Sequence, residues 1–308
     1  MSLLGGNALY SALGAQFCAS SVSIAATVGY DWPSDSLALL ESNSIDCSMI
    51  QEHSYESLRA WIIYEQNGQR RYLLRHPEVV SHTPNPLAAE ITEKQIQSFT
   101  ESAKTVHSRA CPDVAKYKKS LESFCAVHLC PMPLEYLVEW LDVLSSHPDI
   151  VVSLDIPPIQ VNLTEESSIL DSLLARVDIF MPSEAEAQFL QPNFVPEEFA
   201  RVIASKGPKT VIIKMGSEGA WLYSAEEKKL VHIPPIRTKL VDVTGAGDVF
   251  CGAFIAEFAR SGAPLQAAAA ATSAASMTIE TFDARTILTA SPQELSKRQQ
   301  DIMRLIDS

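Results

Sequence analysis

Along the chain, short β-branched runs alternate with longer stretches of helical apolar spacing, a pattern that predicts alternating strands and helices. A glycine turn, Gly5-Gly6, precedes a small-residue helix from Ala8 to Phe17, and the run Val22 to Val28 reads as one buried strand. Val151 to Ile156 and Val177 to Met181 are strand-like. Between them lies a helix that Thr164 is placed to cap, with Glu165 and Glu166 in its first turn. A helix from Pro196 to Lys206 stops at Gly207-Pro208, and Thr210 to Lys214 and Ala220 to Tyr223 are further strands. The alanines Ala267 to Ala271 belong to a helix opening near Pro264, where small side chains favour close packing. This order predicts an α/β fold in three layers, α/β/α, around a mostly parallel central sheet. In such a sheet, ligands bind at the carboxyl ends of the strands.

The texture changes from about residue 45 to residue 74. Leu58 to Tyr64 and Arg71 to Leu74 flank Asn67-Gly68, a strong hairpin turn pair. Such a hairpin suits a small β lid over a pocket, and it equally suits an edge hairpin that only connects. Proline-rich Arg75 to Pro86 closes the section. The expected organisation is a single domain over residues 1–308 carrying a lid at about 45–74.

Composition narrows the function classes. With 24 basic and 37 acidic residues the formal charge is −13, which argues against nucleic acid or an anionic membrane as a partner. The six cysteines form no C-x-x-C pair and the seven histidines no metal-binding spacing, so reduced thiols and a cytoplasmic location are expected. No stretch approaches the ~20 apolar residues of a membrane span.

The chemistry concentrates between Lys239 and Phe258. Leu240 to Val243 is a short apolar run, followed by Thr244-Gly245-Ala246-Gly247-Asp248 and a helical apolar pattern. Glycine, alanine and glycine at a helix entry let backbone amides approach an anion, and the helix N-terminus adds partial positive charge. Asp248, in the first turn, is placed to take a proton from an attacking hydroxyl. Alternatively it only complements the helix dipole.

Asp242-Val243-Thr244-Gly245-Ala246-Gly247-Asp248, with Phe250, Gly252 and Phe254, resembles the second signature of the ribokinase-like (PfkB) carbohydrate kinases. Gly5-Gly6 with Ala12-Leu13-Gly14 resembles the first signature. Met181 to Glu186 falls where that family carries N-x-x-E, and Met215 to Trp221 resembles its ATP-side loop. The blocks occur in the family's order across nearly the whole chain. The resemblance implies an ATP-dependent kinase of small hydroxylated molecules, with Asp248 as general base and the amides of Gly245, Ala246 and Gly247 as anion hole. It implies Mg²⁺ oriented by Glu186 through water, and a nucleotide cleft lined by Gly216, Ser217 and Gly219. Asp242 and Thr244 take either a monovalent cation (K⁺) or a phosphate-positioning role, and Gly5, Gly6 and Asn7 take the substrate side.

The chain departs from the family pattern in three respects. The strand that family members place before the diglycine is missing from the sequence. Tyr10 stands where a sugar-binding asparagine is usual, and it reads either as a substrate-side ring or as core packing. Ser183 replaces the asparagine of N-x-x-E and reaches less far than an amide. Gly5 to Ala15, with Arg59-Ala60-Trp61 and Arg70-Arg71-Tyr72, is similar to a fungal branch of the family related to a killer-virus maintenance protein. The resemblance leaves three readings: a sugar or polyol kinase, a nucleoside kinase, and a nucleotide-binding pseudokinase or regulatory protein with little activity. A homodimer formed through the lid is a further implication.

Overall fold

The computed structural model describes residues 4–54, 57, 62–64, 70–72, 111–156 and 166–307. The chain divides into two compact units, one of residues 1–25, 34–49 and 113–308 and the other of residues 26–33 and 50–112.

The larger unit is built on a six-stranded sheet. Its strands are β7 (Ala126–Leu129), β8 (Val151–Leu154), β9 (Ile179–Phe180), β10 (Thr210–Lys214), β11 (Ala220–Ser224) and β12 (Lys229–Ile233), in the spatial order β12-β11-β10-β9-β8-β7. β7 to β10 are parallel, whereas β11 and β12 return antiparallel as consecutive hairpins. Alternation along each strand sends side chains to two different layers. Leu129, Val152, Leu154, Phe180, Val211 and Ile213 join an apolar core with α3 (Leu134–Leu144), α4 (Glu166–Leu174) and α6 (Pro196–Ala204). The residues between them, including His128, Ser153 and Lys214, occupy the opposite face, which is covered by α7 (Ala246–Ser261) and α8 (Pro264–Thr278). The alanine run is fully inside: Ala267 to Ala271 are buried, which lets α8 approach its neighbours closely.

Helix α1 (Asn7–Gln16) crosses α7 at unusually short range. A Cβ on Gly252 would lie 1.8 Å from the Ser11 carbonyl oxygen, and one on Gly14 2.1 Å from that of Val249. Only hydrogen fits at either position, so the two glycines set the separation of the helices. Among the described residues this unit also contains α2 (Ser34–Ser42), α5 (Glu184–Leu190), α9 (Ala284–Ile287), α10 (Pro292–Asp307) and a parallel pair of β1 (Val22–Ser23) with β3 (Ile45–Asp46).

The smaller unit contains a parallel pair, β2 (Ala26–Gly29) with β4 (Ile50–His53), and an antiparallel pair, β5 (Ile62–Tyr64) with β6 (Arg70–Tyr72). The run Val22 to Val28 is therefore not one strand. It breaks after Ser23, and its halves pair in different sheets. Ile24 is buried at the break, so apolar continuity reports burial there rather than a single extended element. The expected turn pair Asn67-Gly68, the segment Arg75 to Pro86 and the capping residue Thr164 lie outside the described residues.

Candidate active site

The sequence blocks that follow β9 and β10 meet at the carboxyl ends of the parallel strands. Met215 and the Gly216–Glu218 turn follow β10 directly, and Ser183 follows β9 by three residues. The backbone of Ser183 bridges to Lys214, and the Lys214 amide donates to the Pro182 carbonyl at 2.9 Å. The blocks carrying Glu186 and Gly216 are thus held side by side by strand pairing.

Gly245 is the N-cap of α7 in the left-handed conformation, φ 77°, and no side chain caps this helix end. With no side chain over it, this helix end has a geometry suited to an anion, although the Ala246 amide already donates to the Val243 carbonyl at 3.3 Å. An ideal Cβ on Gly245 would fall 2.3 Å from the ring of Tyr10, so the buried tyrosine packs directly beneath the loop. This assigns Tyr10 to packing, and the ring shapes the loop from below. Asp242 braces the loop from the other end. Its Oδ1 accepts from the Thr244 amide at 3.0 Å and from the Thr244 hydroxyl at 2.7 Å.

Asp248 lies in the first turn of α7, the acidic residue nearest the end without a side-chain cap. Its backbone carbonyl accepts from Ser11 Oγ at 3.1 Å, and Ser11 Oγ in turn accepts from the Cys130 thiol at 3.4 Å. The diglycine block and the block from Asp242 to Asp248 are therefore joined through α1. Gly6 caps α1 with φ 108°, and Asn7 donates from Nδ2 to the Pro131 carbonyl at 2.8 Å while its Oδ1 accepts from the Ala8 amide. Asn7 thus ties α1 to the end of β7, and Gly5 near it is exposed.

Ser183 has a structural task that the sequence pattern understates. It is the N-cap of α5 in a full capping box: Ser183 Oγ accepts from the Glu186 amide, and Glu186 Oε2 accepts from the Ser183 amide at 2.6 Å. Burial, then the charge of Asp155, pushes the Glu186 carboxyl up to about 6. In the loop after β10, Gly216 and Gly219 both take positive φ, the Met215 amide donates to the Gly219 carbonyl, and His232 Nε2 donates to the Glu218 carbonyl at 2.8 Å. Ser217 is exposed at the tip.

Three further residues, none of them marked by a sequence motif, meet beside these blocks. Lys214 Nζ donates to Asp155 Oδ2 at 2.5 Å and to the Cys251 sulfur at 3.3 Å. The pair is almost closed to solvent, with side-chain exposures of 11% for Lys214 and 6% for Asp155. Burial works against the ammonium, but the charge of Asp155, and after it that of Glu186, holds its pKa above the ordinary lysine value. Burial pushes the Asp155 carboxyl up against the pull of Lys214, and it pushes the Cys251 thiol well up. The proton therefore rests on Lys214 and the thiol stays neutral. No short motif marks these residues. The only signal was a lysine ending a buried strand, where a charge needs a partner.

The sequence matches the pfkB family carbohydrate kinases over residues 3–290. The chain belongs to that family. A cytidine kinase of Thermococcus kodakarensis is 25% identical over 267 residues, covering 86% of this chain and 84% of that protein. A provisionally assigned ribokinase II of E. coli, solved in complex with ATP and Mg²⁺, superposes with a TM-score of 0.72 at 21% identity, over 97% of this chain and 89% of that one. That likeness carries the fold, a ribokinase-like three-layer α/β/α arrangement. An uncharacterised protein of Schizosaccharomyces pombe is 29% identical over 144 residues, 38% of this chain and 40% of its own length. That match does not place the chain in the killer-virus-related branch. As a pfkB kinase the protein is a phosphotransferase, and among the described residues no helix is long and apolar enough to cross a membrane.

Proposed function

We propose that this kinase moves the γ-phosphate of ATP to an alcohol group of a small sugar, polyol or nucleoside, with Asp248 as the general base. The observation that carries the reading is the placement of Asp248 in the first turn of a helix whose N-terminus, Gly245-Ala246-Gly247, has no side-chain cap. Amides at that end stabilise the charge that spreads over the transferring phosphoryl group. The Asp248 carboxylate accepts the proton of the attacking hydroxyl as the bond to phosphorus forms. Gly216, Ser217 and Gly219 line the nucleotide side, while Gly5, Gly6 and Asn7 border the acceptor side.

The donor set fits Mg²⁺. Among the described residues no cluster of three or more His, Cys, Asp or Glu side chains is arranged to hold a metal. Mg²⁺ in kinases takes one or two carboxylates and completes its shell with water and phosphate oxygens. Glu186 offers such a carboxylate, oriented by the Ser183 amide. Bound there with the nucleotide, the ion would neutralise charge on the phosphates. Asp242 and Thr244 fix the loop, and stimulation by K⁺ over Na⁺ is the test of a cation role for them.

Retention of the base and of a helix end without a side-chain cap favours an active kinase over a pseudokinase. The test is ATP consumption across sugars, polyols and nucleosides, with cytidine included because of the archaeal relative. Acceptor-dependent release of ADP supports the reading. ATP binding with no turnover on any member of the panel supports the pseudokinase instead.

A further inference from the structure

We infer that Lys214 is a positioning residue that places a fixed positive charge behind the first turn of α7. This rests on the reading of that turn as the phosphate site. A Cβ built on Gly247 would meet Lys214 Nζ at 3.9 Å, its nearest neighbour outside the turn, so the ammonium sits against the inner side of a turn that is exposed at Gly247. The lysine reaches this point from the end of β10. It is clamped there by Asp155, just past the end of β8, and by Cys251, within α7.

The clamp is itself fixed. Asp155 Oδ1 accepts from the Ile156 amide at 2.9 Å, and Cys251 Sγ lies 3.7 Å from Asp155 Oδ2. A lysine that served only to neutralise one buried aspartate would not need a position under an anion loop. A hydrophobic pair would fill the same volume at comparable stability. A charge held in low dielectric against Gly247, in the first turn of α7, adds to the helix dipole, and it costs no reorganisation when the phosphates arrive. The remaining ionisable groups around it are His128, Cys130, Glu186 and Asp248. Burial, and then Lys214, keeps His128 neutral, and burial keeps both thiols neutral, so Lys214 is the cation of the cluster among the described residues.

The experiment compares Asp155→Asn with the double variant Asp155→Asn/Lys214→Met, which removes the charge without leaving a buried aspartate unpaired. Calorimetry reads the affinity for ATP, with Mg²⁺ present, and for adenosine. The inference expects the double variant to bind ATP at least about tenfold more weakly than Asp155→Asn, with adenosine affinity within about twofold and the melting temperature within a few degrees. Lys214→Arg in the wild-type background should keep the preference for ATP over adenosine. Equal affinity of the single and double variants for ATP, or parallel loss of ATP and adenosine binding, overturns the inference. A wild-type protein that binds ATP no better than adenosine overturns the phosphate-site reading itself, and this inference falls with it.

Discussion

The ring of Tyr10 fills the space in which a side chain at Gly245 would stand, only 2.3 Å from its ideal Cβ. Glycine is therefore required twice at this position, by the ring and by a φ of 77°. Gly245→Ala should lower ATP affinity and turnover at least about tenfold while the protein remains folded, because the loop must shift off the tyrosine. Adding Tyr10→Ala should recover part of the loss, leaving the backbone strain of about 1 kcal/mol. Turnover of the single variants and their double, with circular dichroism as the folding control, checks this coupling.

The helix crossing gives a second prediction. Gly252→Ala drives a methyl to within 1.8 Å of the Ser11 carbonyl oxygen, and backbone cannot yield as a side chain tip can. A loss of about 3 kcal/mol or more is expected, seen as a fall in denaturation midpoint at unchanged slope. Ser11→Ala removes the hydrogen bond to the Asp248 carbonyl and the weaker one from the Cys130 thiol, and should cost about 1–2 kcal/mol.

Glu186 sets an acid limit. Its carboxyl is raised to about 6 by burial and by Asp155, so the ionised form that would bind Mg²⁺ is depleted below that pH. The Mg²⁺ concentration for half-maximal activity should rise about tenfold per unit below pH 6, and Glu186→Gln should abolish that dependence along with most Mg²⁺ activation. The stability sign is opposite. A folded-state pKa above the ordinary 4.5 means that the contribution of Glu186 to stability is present below 4.5 and is lost as pH rises through about 6. Titrations of Mg²⁺ activation and of melting temperature between about pH 5 and 8 read both effects.

A third brace reaches the loop from the C-terminal helix. Arg298 donates to Glu294, Glu280 and Ser276, each at 2.9 Å, and Glu280 also accepts from the Thr238 hydroxyl. The neighbouring Ile279 carbonyl accepts from the amides of Val241 and Asp242, the residues that enter the loop before α7. Arg298→Met should weaken ATP binding several-fold, about 1 kcal/mol, although the guanidinium is placed in neither the nucleotide nor the acceptor side. Calorimetry with ATP on Arg298→Met and Arg298→Lys measures it.

Much of the fold is legible because β8, β9 and β10 fall within short apolar runs, whereas β7, interrupted by His128, stands out less. Thr210 to Lys214 is the clearest, since its expected bounds are those of β10. Lys229–Ile233 was missed because it is an edge strand with an exposed lysine and histidine, and so lacks the apolar run of a buried one. Within the candidate site, the residues that stand out in the sequence are those adjacent in it: the heptapeptide from Asp242 to Asp248 and the block from Ser183 to Glu186. Asp155, Lys214 and Cys251 do not, because their partnership joins the ends of two strands to a helix and exists only once the sheet is formed. The sequence pattern suggests that Ser183 reaches toward a ligand, whereas its side chain caps the helix behind it.

The most direct test of the central claim is γ-phosphate transfer by Asp248→Asn on the best acceptor of the panel, measured beside its ATP affinity. A general base contributes about 10²–10⁴-fold, so turnover should fall by at least about a hundredfold while ATP binding changes by less than about threefold. Turnover within about tenfold of the wild type would contradict the assignment of Asp248 as the base.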